Sequence, residues 1–461
     1  MSLFRVKTTE CRVGVVGLYN AGKTVLLTSL INHLEHHDPD RFRLGRQRSG
    51  DAPVTIRKFT LLRPDAGWAE FNYAGFRDAL VHHGRWPKKT RDRSQFTCQF
   101  ERSDWTFSDA LLKLYDLPGE RLADAAMLHR NFAEWSDHLL HIVETDTPYR
   151  TCCEPFLHAL ASPTPTASDW IAAYKLALAN LILAYKPLVS PSSFWLDLSG
   201  SLASGDTAEQ IASGRIVGLS AGDEFTPLPA PVRTANPELT AMFAERYERY
   251  REQVAAPCLF AMRSCHALIV LVDVTAILAA GVGMYNDNRQ ILQDLFQVLD
   301  PGESPLEVAG RMLAKVFLPH DLRPGWINRV AFVAPKLDLV HPDDRDRMQH
   351  LLKRFVGNLA DNRDGLSAKF FNCAAVVSTK PLAKGPGERK LVGVPYRGED
   401  GKRMPPGEEK SFSVSALPDD WPAKWFAGGY TFADVYPSIP TRKDFAPDQI
   451  NLDRLLDFVL D

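Results

Sequence analysis

Apolar and polar positions along the chain fall into two regimes. Short, mostly apolar runs that read as strands of a parallel sheet occur at Cys11–Val16, Leu111–Tyr115, Ala267–Val272, Val330–Ala334 and Ala374–Val377. Helical spacing lies between them. Leu27, Leu30, Ile31 and Leu34 share one face of a helix that stops at His36-His37-Asp38-Pro39, and further helices are predicted near 286–299, capped near Asp287, and over 343–355. Strands alternating with helices argue for a mostly parallel α/β sheet that takes its ligand at strand C-terminal ends.

The second regime runs from 144 to 263, where the alternation stops. Ser168 or Asp169 is expected to cap an amphipathic helix carrying Trp170, Ile171, Tyr174, Leu178, Leu181, Ile182 and Tyr185, ended by Pro187. That aromatic stripe reads as core. Residues 196–237, rich in Ser, Gly and Pro, are expected to form a long loop, followed by a helix over 238–262 with charges of both signs. The expected organisation is therefore a first core part at 1–143, a helical insertion at 144–263, and a second core part with a C-terminal extension at 264–461. A small insertion within the first part, about 41–93, holds a strand at Val54–Leu62 and a helix near Glu70–His82. The extension holds a short strand at Leu391–Val394 and a helix-like Ile450–Leu460.

Composition narrows the class. Hydrophobic residues at 45% and charged residues at 24% suit a globular chain with a sizeable core. Lys plus Arg number 54 against 56 Asp plus Glu, so no global field gathers nucleic acid, and none is expected as a partner. The 7 cysteines form no CxxC pair and are odd in number, which fits a reducing cytosol. The N-terminal residues lack the apolar core of a signal peptide. The run Ala267–Gly283 carries Asp273, costly in lipid, and is read as a buried strand running into a turn. His36 and His37, neighbours on a helix, point about 100° apart and read as a polar helix end rather than a metal pair.

The chemistry gathers at strand ends. Gly17-Leu18-Tyr19-Asn20-Ala21-Gly22-Lys23-Thr24 fits GxxxxGK[ST], in which glycines let backbone N–H groups and the following helix N-terminus face phosphate oxygens. Lys23 is then expected at the β- and γ-phosphates and the Thr24 hydroxyl at Mg²⁺. Asp116 ends the strand that should neighbour the P-loop strand. Its carboxylate suits Mg²⁺ held through water, and the Gly119 N–H suits a γ-phosphate. The basic stretch Arg85–Arg93, holding Trp86 and Thr90, reads either as a solvated loop or as a phosphate-facing switch loop. Lys336, Asp338 and Ser378 also follow strands.

Several stretches carry a family likeness. Gly17–Leu30, Trp86-Pro87-x-x-Thr90, Tyr115-Asp116-Leu117-Pro118-Gly119-Glu120, Ala133-Glu134-Trp135-Ser136, and Leu271-Val272-Asp273-Val274 with Ala280-Gly281 resemble the YcjX-like family of bacterial stress-associated P-loop NTPases related to GTPases. The resemblance implies a three-layer, GTPase-like α/β core with a large helical insertion. It also implies binding of GTP or GDP with Mg²⁺, and GTP hydrolysis in a stress-related switch. Gly17, Tyr19, Asn20, Ala21, Gly22, Lys23, Thr24 and Val25 would then cradle the nucleotide. Thr90 resembles the switch threonine that meets Mg²⁺ and γ-phosphate, and Asp116 with Gly119 the second switch. Lys336 and Asp338 resemble the guanine-recognition element, with Ser378 on the loop backing the base. Adenine lacks the N1 and N2 donors that Asp338 would accept, which is the basis of base choice.

Two departures qualify the transfer. Pro335 stands where GTPases usually have Asn and this family often Thr, so a side-chain bridge to the P-loop is missing. Glu120 stands where many GTPases place a water-orienting Gln, and its charge beside γ-phosphate implies slow hydrolysis or activation by a partner. Asn20 matches the P-loop Asn of potassium-activated GTPases, making K⁺ a further expected ligand, and Arg85 is a rival source of that charge. A protein activator or membrane-associated partner is expected, with a cytoplasmic location peripheral to the inner membrane. The alternatives are a non-hydrolysing interaction module that presents the helical insertion, and a small-molecule kinase, against which Lys336 and Asp338 count.

Overall fold

The apolar run Cys11–Val16 is the middle of β1 (Lys7–Gly17), the strand at the centre of the sheet. Glu10 and Arg12 stay partly exposed in its first half, whereas Val13, Val15 and Val16 are fully buried. The computed structural model describes residues 7–17, 21–45, 52–87, 93–105, 108–117, 119–145, 147–162, 166–185, 207–214, 220, 222–299, 327–357, 366–382, 389–398, 403–442 and 445–460. These divide into two compact units. One comprises Met1–Pro118, Met262–Ala279 and Gly302–Asp461, the other Gly119–Ala261 and Ala280–Pro301.

The first unit is built on a sheet of 8 strands among the described residues. With β1 these are β2 (Ile56–Leu62), β3 (Ala69–Glu70), β4 (Ser94–Arg102), β5 (Ser108–Asp116), β6 (Ala267–Leu271), β7 (Arg329–Ala334) and β8 (Ser367–Asn372). Their order is β2-β4-β5-β1-β6-β7-β8, with β3 beside β4. β5, β1, β6, β7 and β8 run parallel, while β4 is antiparallel to β5 and β2. The fold is thus mixed α/β with a mostly parallel central sheet. Register aligns the strand ends: Val15 faces Asp116, Gly17 faces Leu271, Leu271 faces Val333, and Ala334 faces Asn372. Five parallel strands therefore finish along one edge of the sheet, where the candidate chemistry was expected.

Helix α1 (Lys23–Glu35) buries Leu26, Leu27, Leu30, Ile31 and Leu34. α2 (Tyr73–Val81) is capped by Asn72, whose side chain accepts from the Gly75 N–H at 3.2 Å. The core on which α1 packs also takes Leu452, Leu455, Leu456, Phe458 and Val459 from the helix Leu452–Leu460. A small antiparallel sheet, β9 (Lys380–Pro381), β10 (Lys390–Gly393) and β11 (Lys410–Ser413), closes over Leu391, Val414, Ala433 and Val435.

Two expectations for this unit are corrected. Ala374–Val377 is not a sheet strand: Ala374 makes one isolated bridge to Ile450, and the Val377 N–H donates to the Asp448 carbonyl. The strand is Ser367–Asn372, whose more polar sequence suits the outermost position it occupies. The apolar run after it is buried because residues 448–450 cover it. The second correction lies past β6, where the expected turn is a helix, Val274–Ala280, followed by a left-handed Gly281 (φ 100°).

The second unit contains helices and no strand among its described residues. After the 3₁₀ helix Gly119–Leu128 come Phe132–Thr145, Thr147–Leu160, Ala167–Tyr185, Pro237–Tyr250 and Val282–Leu299. The last begins before the expected cap, leaving Asp287 in mid-helix and buried. Thr166, not Ser168, opens Ala167–Tyr185: its backbone N–H donates to the Asp169 carboxylate at 2.8 Å, and its hydroxyl accepts from the Asp169 N–H at 3.3 Å. The described parts of 196–237 include short helices at Ala208–Ala212 and Ala230–Ala235, where a loop was expected. Phe132, Trp135, Phe225 and Tyr247 form one aromatic cluster, with ring centroids 5.3 to 6.1 Å apart. Among the described residues of the whole chain, no helix is long and apolar enough to cross a membrane.

Candidate nucleotide site

Two glycines shape the loop between β1 and α1, each for a different reason. At Gly17 an added Cβ would sit 2.6 Å from the Leu271 Cβ, so only glycine lets the tip of β1 approach β6 this closely. At Gly22 a Cβ would meet open space, and the constraint is a left-handed φ of 86° at the residue that opens α1. The Gly22 carbonyl accepts the first helical bond, from the Leu26 N–H at 2.9 Å. Gly22, as the N-cap, brings no side chain of its own to the first turn of α1.

Lys23 opens α1 and turns back across the loop, its Nζ donating to the Gly17 carbonyl at 3.2 Å. Thr24 and Val25 follow in the first turn, both half-buried, and Ala21 is buried. Tyr19, Asn20 and Thr90 lie outside the described residues. A left-handed glycine, an uncapped helix start and a lysine ammonium suit a nucleotide's phosphates. The Thr24 hydroxyl and the Asp116 carboxylate are hard oxygen donors of the kind Mg²⁺ takes.

Asp116 is buried at the end of β5, opposite Val15 of β1, and the next N–H, from Leu117, donates to the Val15 carbonyl at 3.3 Å. Adjacency to the P-loop strand thus follows from strand order. Gly119 and Glu120 open the 3₁₀ helix Gly119–Leu128, which belongs to the second unit.

Beyond β7, Lys336 adopts a left-handed φ of 63°, uncommon for a residue with a side chain. Its Nζ donates to the Asp273 Oδ2 at 2.5 Å. The next N–H, from Leu337, donates to the Cys373 carbonyl at 2.9 Å. Asp338 is buried, and its Oδ2 accepts the Ser378 N–H at 3.0 Å. The Thr379 hydroxyl donates to the Asp338 carbonyl, and the Ser29 hydroxyl on α1 donates to the Ala375 carbonyl at 2.5 Å. The loop 373–379 is therefore pinned between α1 and the turn 335–338. Burial pushes the Asp338 carboxyl up to about 6, against the lowering effect of the Ser378 N–H and the positive charges of Lys336 and Arg345.

Lys336, Asp338 and Ser378 are thus brought together, and Lys23, Thr24 and Asp116 stand on the same edge of the sheet as that group. The residue that motif reading left without a role is Asp273. Its signal was present: a carboxylate ending an apolar strand run, the same pattern that drew attention to Asp116.

The chain is 25% identical to the "Ras-like GTPase YcjX" of Shewanella oneidensis, with 99% of this chain and 95% of that protein aligned. It is 23% identical to the "Ras-like GTPase YcjX" of Escherichia coli K12, over 97% and 95% respectively. The model of the YcjX-like family, DUF463, matches residues 11–188 and 208–461. With nearly the whole chain matched, the protein belongs to the YcjX-like family.

Proposed function

We propose that the protein is a P-loop GTPase that binds GTP and GDP with Mg²⁺ and acts as a molecular switch. The observation that carries this reading is the common edge on which the P-loop, Asp116 and the Lys336–Asp338–Ser378 group all stand. The name its relatives carry, Ras-like GTPase, supports the same conclusion. In this reading Gly17, Tyr19, Asn20, Ala21, Gly22, Lys23, Thr24 and Val25 hold the phosphates. Thr24, Thr90 and Asp116 complete the shell of Mg²⁺, which supplies charge neutralisation when bound. Lys23, Thr90 and the Gly119 N–H stabilise charge developing on the γ-phosphate. Asp338 accepts the N1 and N2 protons of guanine, with Ser378 behind the base.

Glu120 carries a negative charge beside the expected path of the attacking water. The reading therefore includes slow hydrolysis until a partner, or K⁺ at Asn20, adds positive charge. A switch role draws on the second unit, in which the helix beginning at Gly119 is held by two tyrosines. The Tyr250 hydroxyl donates to Asp124 at 2.9 Å, and the Tyr247 hydroxyl lies 3.1 Å from the Met127 carbonyl. We place the helical residues 144–263 as the insertion offered to a protein or membrane-associated partner, at a cytoplasmic site of action in a stress response. Calorimetric titration of GDP, GTP and an ATP analogue with Mg²⁺ tests the core of this reading. Binding of guanine nucleotides in preference to adenine nucleotides is expected, and no binding by any of them overturns it.

A further inference from the structure

The turn that carries Lys336 and Asp338 has an unusual anchoring problem. Its first residue, Pro335, has neither an N–H nor a polar side chain, so it donates nothing that would tie the turn down. Its second residue, Lys336, sits at φ 63°, a conformation that persists only where surrounding contacts over-determine it. The backbone of Leu337 and the carboxylate of Asp338 are fixed to the loop 373–379. The lysine side chain is fixed to Asp273 instead.

Asp273 is well placed for that task. It lies two residues past Leu271, the end of the strand beside β7, and the Val272 N–H donates to the Val333 carbonyl at 2.9 Å, locking the two strand ends together. Its side chain is only 7% exposed, against 37% for Lys336. Oδ1 accepts from the Thr275 hydroxyl at 2.7 Å and from the Ala276 N–H at 3.0 Å, which sets the rotamer. Oδ2 is thereby aimed at the Lys336 ammonium, 2.5 Å away. A carboxylate already held by two donors loses little freedom on pairing, so its bond to the lysine is a rigid restraint rather than a mobile surface contact.

We infer that Asp273 is a positioning residue for base recognition, holding Lys336 through Oδ2 and so fixing the turn that presents Asp338. It acts through Lys336 and makes no contact with the nucleotide. The inference rests on the proposed reading of Lys336 and Asp338 as the guanine-recognition element.

The test uses the full chain and three probes with Mg²⁺: GDP, ADP and inorganic tripolyphosphate. Asp273→Asn keeps an oxygen for Thr275 and Ala276 and removes the charge that faces Lys336. It is expected to weaken GDP binding about tenfold, the loss of one charge-assisted hydrogen bond, and to leave tripolyphosphate binding unchanged, narrowing the preference for GDP over ADP. In a Lys336→Met background the same substitution should change GDP binding by less than about twofold. Equal losses for GDP and tripolyphosphate, wild-type GDP binding by the variant, or full effects in both backgrounds would each overturn the inference. Should Asp273→Asn fail to fold, Thr275→Val asks the same question by releasing the rotamer: about threefold weaker GDP binding supports the role, and unchanged binding overturns it. Wild-type protein with no preference for GDP over ADP would sink the guanine reading itself. A wild-type preference that survives in the variants would sink only the role of Asp273.

Discussion

Ser378 donates its backbone N–H to the carboxylate of Asp338 at 3.0 Å, joining the turn after β7 to the loop after β8. The bond orients a side chain that burial would rather keep neutral, and the competition between the two effects leaves the carboxyl at about 6. Guanine recognition needs the ionised form, because a protonated carboxyl has lost an acceptor. GDP affinity should therefore be flat above pH 7 and fall by about tenfold per unit below pH 6, measured as Kd across pH 5 to 8. Stability carries the opposite sign. The folded state binds this proton more tightly than the unfolded chain does, so this group's contribution is present at low pH and is lost as pH rises towards 6 and beyond.

Asp338→Asn removes that titration and replaces an acceptor by an amide donor. Xanthine has a carbonyl at C2 where guanine has an amine, so the variant should exchange GDP for XDP, with selectivity inverted by about a hundredfold or more. Competition between the two nucleotides in one titration measures this. Retained GDP preference would remove Asp338 from the base contact.

Lys23 is expected to matter for the ligand and not for the fold. Its half-buried side chain makes a hydrogen bond from Nζ to the Gly17 carbonyl at 3.2 Å. Lys23→Met should keep the melting temperature within about 2 °C, as for substitutions within about 0.5 kcal/mol, and weaken nucleotide binding about a hundredfold or more. Parallel melting and titration curves separate the two effects.

The glycines at the two ends of the loop should respond differently to alanine. Gly17→Ala drives a Cβ to within 2.6 Å of Leu271 at the packed junction of β1 and β6, an overpacking expected to destabilise by about 1–3 kcal/mol. Gly22→Ala meets no atom and pays only for its left-handed φ, about 1–2 kcal/mol. Denaturant midpoints report the first, and rescue of Gly22 by Asn, which tolerates that conformation better than Ala, reports the second.

In the second unit, Tyr250→Phe removes the hydroxyl that donates to the buried Asp124 at 2.9 Å. A loss of about 1–3 kcal/mol is expected, with faster hydrogen exchange over 119–128. Unchanged exchange there would mean that the tyrosine does not hold this helix.

Much of the first unit was legible because its signals are local. A fully buried strand such as Ala267–Leu271 reads as an unbroken apolar run, and α1 announces itself by Leu27, Leu30, Ile31 and Leu34 at helical spacing. The strand Ser367–Asn372 was not legible, because an edge position needs little hydrophobicity, and the apolar residues just after it are buried by a distant segment, residues 448–450. The helix Val274–Ala280 was hidden for another reason: its apolar residues continue those of β6 without a break in composition, and the change is marked only by Asp273 and Thr275. At the site, the P-loop and Asp116 stand out by motif spacing and strand position, and Lys336–Asp338 by the family resemblance. The ion pair between Lys336 and Asp273 does not, since it joins neighbouring strands 63 residues apart.

The helix Leu452–Leu460 completes the core begun by β1, and the Cys11 thiol meets the Val459 carbonyl across 448 positions of sequence. On the ribosome, β1 and α1 emerge early but lack a wall of their own hydrophobic interior until residues beyond 450 are released. The phosphate loop joins these two elements, so the frame that carries it is complete only once this distant helix has been made. A nascent chain should consequently be unable to capture nucleotide, and ribosome-stalled fragments ending before residue 450 should remain open to chaperones and proteases.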